Sequence, residues 1–284
     1  MDPLLVTQAL NVLYEVVTLA VIVLGLAIVF GLLGVMNLAH GEFIALGAYV
    51  AYVCQSHGLP YLAAVPAAIA ACALLALPVE RFLIRPLYDR PFDTLLATWG
   101  LSLFMRKAIE IGFGGGYKSL KIPVSDSVLV LGAPFPAYRL LLMALCAALI
   151  AALLLWYRRS VAGARVKAMV GNRELAQAVG IRTDRLARDT FVVGLCFAGL
   201  AGVMVAPLVS VQPYMGLDYV LRSFFVLVVG GLGSPLGLLS GAAAIGGVES
   251  AMSALVDRTA GYSTVLLIAI FFLWRRPHGI FGRS

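Results

Sequence analysis

Apolar runs recur along this chain at the length of a lipid bilayer. They fall at about 10–30, 60–80, 94–112, 138–157, 190–210, 236–256 and 262–274. A helix needs about 20 mainly apolar residues to span the hydrocarbon core, where only helices and closed barrels satisfy their own backbone. Composition agrees, since 62% of the 284 residues are hydrophobic and 12% charged, with a mean hydropathy of +0.98. A soluble domain has about a quarter of its residues charged. The chain is therefore expected to fold as an all-α polytopic transmembrane bundle.

Two stretches are less regular. Residues 31–56 set Asn37, His40 and Glu42 inside an apolar run, and 219–233 is short, contains Arg222 and runs into "GGLGSPLG". The expected count is about eight or nine passes, one of them interrupted or re-entrant. The first run follows Asp2 without a basic n-region and outlasts a signal h-region, so it does not read as a cleaved leader. Cys54, Cys72, Cys146 and Cys196 are scattered without CxxC spacing. They read as small packing residues, not metal ligands or disulfides.

The basic residues orient the bundle. Arg81, Arg85 and Arg90 share one loop; Arg158, Arg159, Arg165, Lys167, Arg173, Arg182, Arg185 and Arg188 lie in 158–189; Arg275, Arg276 and Arg283 close the chain. These are 14 of its 21 Lys and Arg residues. The helix count puts all three segments on one face, which the positive-inside rule makes cytoplasmic. The excess charge of +7 reads as topology and not as a nucleic-acid surface. Arg106 and Lys107 do not fit this pattern, since they fall near the outer end of their helix. The longer outer segment, 113–137, is rich in Gly and Pro with room for a short hairpin.

No GxxxxGK[ST] loop is present, so the chain has no Walker-type ATP site. "GGLGSPLG" lacks the following Lys and reads as a helix break or a place of close packing. Gly237 with Gly241, and Ala198 with Gly202, have the small-xxx-small spacing of tight helix contacts. His57 and His278 stand apart from any Cys or carboxylate cluster. No catalytic constellation and no metal-ligand set is visible.

Asn37, His40 and Glu42 are costly in a bilayer unless protein or water receives them. Gly31, Gly34 and Gly41 flank them, and glycine tolerates backbone that leaves the helix. On a helix, Asn37 would share a face with His40 and with Gly41. Either the polar groups satisfy one another and nearby backbone, or they line or support a passage for a polar solute.

The loop "SVAGARVKAMVGNRELAQAVGIRTDRLARDTF" (Ser160–Phe191) is the second informative element. Val166, Met169 and Val170, then Leu175, Ala178 and Val179, recur at helical spacing and predict one or two short amphipathic helices. Gly180 is a natural C-cap, and Thr183 or Asp184 can restart a helix. A helical knob of this kind suits docking to another protein, or else a membrane-surface helix held by anionic lipid.

These stretches resemble the LivH-type permease subunits of bacterial ABC importers for branched-chain amino acids, a family that also includes urea and short-chain amide permeases. The likeness runs through "GLLGVMNLAHGEFIALGAYVAY", "RVKAMVGNRELAQAVGIRTDRLARDTFVVGLCFAGLAGVM", "SFFVLVVGGLGSPLGLLSGAAAIGGVES" and "RRPHGIFG", in matching order along nearly the whole chain. The resemblance implies a single permease domain over 1–284 in a bacterial inner membrane, with a coupling loop near 158–189. It implies a second related permease, two cytoplasmic ATPase subunits that bind ATP and Mg, and a periplasmic solute-binding protein. By position, Arg165, Ala168, Asn172, Glu174, Ala176, Gly180 and Ile181 belong to the coupling element, and Asn37, His40, Gly41 and Glu42 to the translocation path or its support. The chain itself is then no enzyme and holds no cofactor.

The expected solute is a branched-chain or related amino acid, with urea or a short-chain amide as the alternative, because "RPLYDRPFDTLLATWGLSLFMRK" (Arg85–Lys107) resembles both branches. A stand-alone ion-coupled carrier or channel would need an intramembrane carboxylate relay, for which only Glu42, Glu249 and Glu15 are available.

Overall fold

The computed structural model describes residues 2–34, 36–88, 90–231, 235–275 and 280. The described chain is mostly helical. In order come α1 (Pro3–Leu33), α2 (His40–Ser56), α3 (Ala64–Pro78), α4 (Pro91–Phe113), α5 (Ala137–Arg159), α6 (Val161–Gly171), α7 (Arg173–Ala178), α8 (Thr183–Val205), α9 (Met215–Gly230), α10 (Pro235–Leu255) and α11 (Arg258–Arg275). A π-helical turn, Val79–Ile84, continues α3. Strands β1 (Ser127–Val130) and β2 (Ala133–Pro136) pair antiparallel around Leu131 and Gly132, both at positive φ. The expected all-α fold thus carries one short hairpin, in the Gly- and Pro-rich segment where the sequence left room for it.

Among the described residues, five segments are long and apolar enough to cross a membrane: Pro3–Gly31, Tyr61–Leu87, Ala137–Arg159, Thr183–Leu208 and Leu236–Leu255. The other runs expected to span also form helices, but α4 carries Asp93, Arg106, Lys107 and Glu110, and α11 starts and ends on Arg. Leu232 to Ser234 of "GGLGSPLG" and nearly all of "RRPHGIFG", with His278, lie outside the described residues.

The chain forms two compact units. In the unit of 24–121 and 153–221, α2 lies against α8 with backbone touching backbone. A Cβ on Gly47 would fall 2.0 Å from the Gly199 carbonyl oxygen, and one on Gly202 would fall 1.9 Å from that of Ile44. Small residues allow this approach, which supplies the dispersion contact that holds helices together in lipid. Phe43, Ile44, Tyr49, Phe191 and Leu195 fill the surrounding core, and His40 and Glu42 are buried with them. In the unit of 1–23, 122–152 and 222–284, the same device joins α9 to α10. A Cβ on Gly237 would meet the Gly230 carbonyl at 2.6 Å, and one on Gly241 that of Val226 at 2.2 Å. Both small-residue pairs read from the sequence therefore lie at close helix contacts.

Candidate functional site: a buried ion pair beside a broken helix

The helical path breaks between α1 and α2. Gly34, at φ +66°, takes the chain out of α1 through a left-handed conformation that a residue with a Cβ resists. Asn37 then turns its side chain onto local backbone, its Oδ1 accepting from Ala39 N–H at 3.0 Å, while its carbonyl accepts from His40 N–H at 3.3 Å. This Asx turn feeds the start of α2. Asn37 accordingly precedes the helix, which corrects the expectation that it shares a helical face with His40 and Gly41. Gly41 is needed for contact: a Cβ there would lie 1.9 Å from the carbonyl of Gly216.

Irregular backbone must be covered, and α4 covers it. Thr94, Thr98, Ser102 and Arg106 recur every four residues, so they share one face of α4, and all are buried. Thr98 Oγ1 accepts from Leu38 N–H at 3.2 Å, with the carbonyls of Leu95 at 3.0 Å and Met36 at 3.4 Å in reach of its one proton. Thr98 is the eighth residue of α4, so this contact lies about 10 Å along the helix at 1.5 Å per residue.

Glu42 meets the same stripe one and two turns further on, at Ser102 and Arg106. Its Oε1 accepts from Arg106 Nη2 at 2.7 Å, Arg106 Nε at 3.2 Å and Ser102 Oγ at 3.0 Å. The Glu42 side chain is 1% exposed and that of Arg106 10%. Glu42 Oε2 has no hydrogen-bond partner among the described residues. Outward from the pair, the Tyr214 ring lies 5.5 Å from the Arg106 guanidinium carbon. Tyr214 donates to Glu110 Oε2 at 3.2 Å, which also accepts from Lys107 Nζ at 2.7 Å. Polar contacts thus lead from a buried carboxylate to an exposed lysine.

By sequence alone Arg106 is a charge that fits the topology badly; the fold shows why it is there. A guanidinium inside an apolar segment needs an anionic partner, and Glu42 is that partner. The four-residue spacing of Thr94, Thr98, Ser102 and Arg106 was the available signal. Asn37 and Glu42 do not satisfy one another: one takes backbone, the other takes α4. In the other unit Glu249 pairs with Arg222 at 2.9 Å, and Arg222 also donates to the Tyr262 hydroxyl. Two of the three carboxylates open to a relay are therefore committed to arginines.

The knob after α5 is well capped. Ser160 Oγ accepts from Gly163 N–H at 2.8 Å to start α6, and Asn172 Oδ1 from Leu175 N–H at 2.9 Å to start α7. Gly180, at φ +84°, ends α7 in a Schellman turn: its N–H donates to the Gln177 carbonyl at 2.9 Å and Ile181 N–H to that of Ala176 at 3.0 Å. Arg165, Ala168, Asn172, Glu174 and Gly180 are exposed, Ala176 is buried and Ile181 half-buried. The apolar set divides: Val166 and Met169 face inward, whereas Val170, Leu175 and Val179 are exposed.

Long apolar helices and a buried ion pair beside a broken helix describe an integral membrane protein. The chain belongs to the family described as branched-chain amino acid transport system / permease component, whose model matches residues 8–274. It is 26% identical over 282 residues to the high-affinity branched-chain amino acid transport system permease protein LivH of Salmonella typhimurium, covering 94% of this chain and 92% of that protein. It is 26% identical over 297 residues to BraD of Pseudomonas aeruginosa, another high-affinity branched-chain amino acid transport system permease protein, covering 97% and 95%. Among solved structures, PsaBC from Streptococcus pneumoniae in complex with Fab matches at a TM-score of 0.53 and 12% identity over 95% of this chain and 92% of that one, a likeness of fold alone.

Proposed function

We propose that this chain is one of two related permease subunits of an ATP-driven importer for branched-chain amino acids in a bacterial inner membrane. It crosses that membrane about eight or nine times, one pass being broken at 34–39. Two cytoplasmic ATPase subunits that bind ATP and Mg dock on the knob formed by α6, α7 and the turn at Gly180. A periplasmic binding protein delivers the solute on the opposite face. The observation that carries the docking assignment is the exposed apolar set Val170, Leu175 and Val179 on that basic face, beside Arg165, Ala168, Asn172 and Glu174. An apolar patch rimmed by polar residues marks a protein contact. The branched-chain solute is supported by the similarity to LivH and BraD, both permease proteins of branched-chain amino acid transport systems.

Asn37, His40, Gly41 and Glu42 support the translocation path. Glu42 and Arg106 hold α2 to α4 beside the broken backbone, and Asn37 shapes the break itself. The deciding experiment reconstitutes this chain with its sister permease, ATPases and binding protein. ATPase stimulation is then measured with leucine, isoleucine, valine, urea and acetamide. Stimulation by the three amino acids is expected; stimulation by urea or acetamide alone would replace the solute assignment, and none with any solute would end it.

A further inference from the structure

A second network ties the docking knob to the foot of α3. Pro78 lacks an N–H, and there α3 gives way to the π turn Val79–Ile84. Such turns hold one extra residue per hydrogen-bonded loop and recur at functional positions. Glu80, the second residue of this one, is 1% exposed, and its Oε1 accepts from the Tyr88 hydroxyl at 3.1 Å. Burial, then the adjoining Glu80 carboxylate, pushes the Tyr88 phenol well above its ordinary range, so it remains a donor at any physiological pH.

Tyr88 in turn faces α7. Arg173, the first residue of α7, holds its guanidinium carbon 5.7 Å from the Tyr88 ring. It also donates to Asp184 Oδ1 at 3.1 Å, while Arg85 donates to Asp184 Oδ2 at 3.3 Å. Asp184 therefore clasps the loop after the π turn and the start of α7 together. These outer pairs are exposed and contribute little by themselves. The inner bond differs, because a buried carboxylate that loses its donor is left with an uncompensated desolvation cost.

We propose that Tyr88 and Glu80 are positioning residues for transport, whose mutual hydrogen bond passes a displacement of α7 to the π turn below α3. The ATPases move α7; Arg173 carries the ring of Tyr88; Tyr88 pulls on Glu80, and the π turn, an irregular stretch that interrupts the α-helical ladder after Pro78, yields. This rests on the reading that α6 and α7 dock an ATPase.

The test uses the full reconstituted complex with its binding protein and leucine. Complex yield, basal ATPase activity, leucine-stimulated ATPase activity and uptake are measured for wild type, Tyr88→Phe, Arg173→Gln, Glu80→Gln and Glu80→Leu. Tyr88→Phe should keep yield and basal activity within about twofold and lower uptake per ATP roughly tenfold, the size of one hydrogen bond to a charged group. Glu80→Gln retains an acceptor oxygen and should couple better than Glu80→Leu. Unchanged uptake per ATP in Tyr88→Phe overturns the link, as does a loss of yield that matches the loss of uptake in both Tyr88→Phe and Arg173→Gln. If Tyr88→Phe alone assembles poorly, exposed Arg173→Gln decides: weakened coupling supports the link and wild-type coupling overturns it. Failure of the wild-type complex to couple at all would instead refute the importer assignment.

Discussion

Replacing Glu42 by Leu strands Arg106. In the native fold the guanidinium gives two hydrogen bonds to Glu42 Oε1, at 2.7 and 3.2 Å, and one to Ser102 at 3.2 Å, with its side chain 10% exposed. In Glu42→Leu only Ser102 and the Tyr214 ring remain. Removing one partner of a buried pair costs about 3–5 kcal/mol, whereas replacing both by apolar groups of similar volume is neutral or stabilising. The single variant should lower the midpoint of thermal unfolding of the purified complex by about 10 °C. Glu42→Leu with Arg106→Met should return to within a few degrees of wild type, since no stranded charge remains. Uptake separates packing from function. If the pair serves the path, the double variant regains stability but not transport. Scanning fluorimetry and radiolabelled leucine uptake on the same preparations give both numbers. A single variant as stable as wild type would refute the energetic argument, and a double variant that transports normally would reduce the pair to packing.

Gly180→Val places a β-branched residue at φ +84° and should weaken ATPase co-purification while leaving membrane insertion intact; full complex yield with normal transport would remove the turn from the docking element. Asn37→Leu deletes the acceptor for Ala39 N–H, at a cost of about 1–3 kcal/mol if that donor stays buried, and should slow uptake in an ATPase-binding complex; wild-type uptake would make Asn37 ordinary packing. The purified chain alone should show no saturable ATP binding in a filter or fluorescence assay, and nucleotide binding would overturn the permease reading.

The helices were legible because the spanning signal is strong and local: about 20 apolar residues with few charges leave one backbone solution in lipid. The break before α2 was legible for the same reason, since Gly34, Asn37, His40 and Glu42 violate that pattern within nine residues. The capping of α6 and α7 and the turn at Gly180 follow from residues next to one another in the chain. The partner of Glu42 was not legible in that way. Arg106 is 64 residues distant, and no local rule says which of several charges a buried carboxylate will meet. The outward face of Leu175 and Val179 was hidden for a related reason: periodicity finds an apolar stripe but does not say what covers it.

The contact of α2 with α8 restricts how this protein can move. Helices that slide past one another do so over a layer of side chains whose rotamers absorb the shift. At Gly47 with Gly199, and at Gly202 with Ile44, no such layer exists, because carbonyl oxygens occupy the space a single methyl group would need. A displacement of one helix along the other would drive backbone into backbone. The two must travel as one strut. Conformational change in this unit is then confined to its joints: the left-handed step at Gly34, the π turn at Val79–Ile84 and the 3-10 turn Ala206–Leu208 that follows α8.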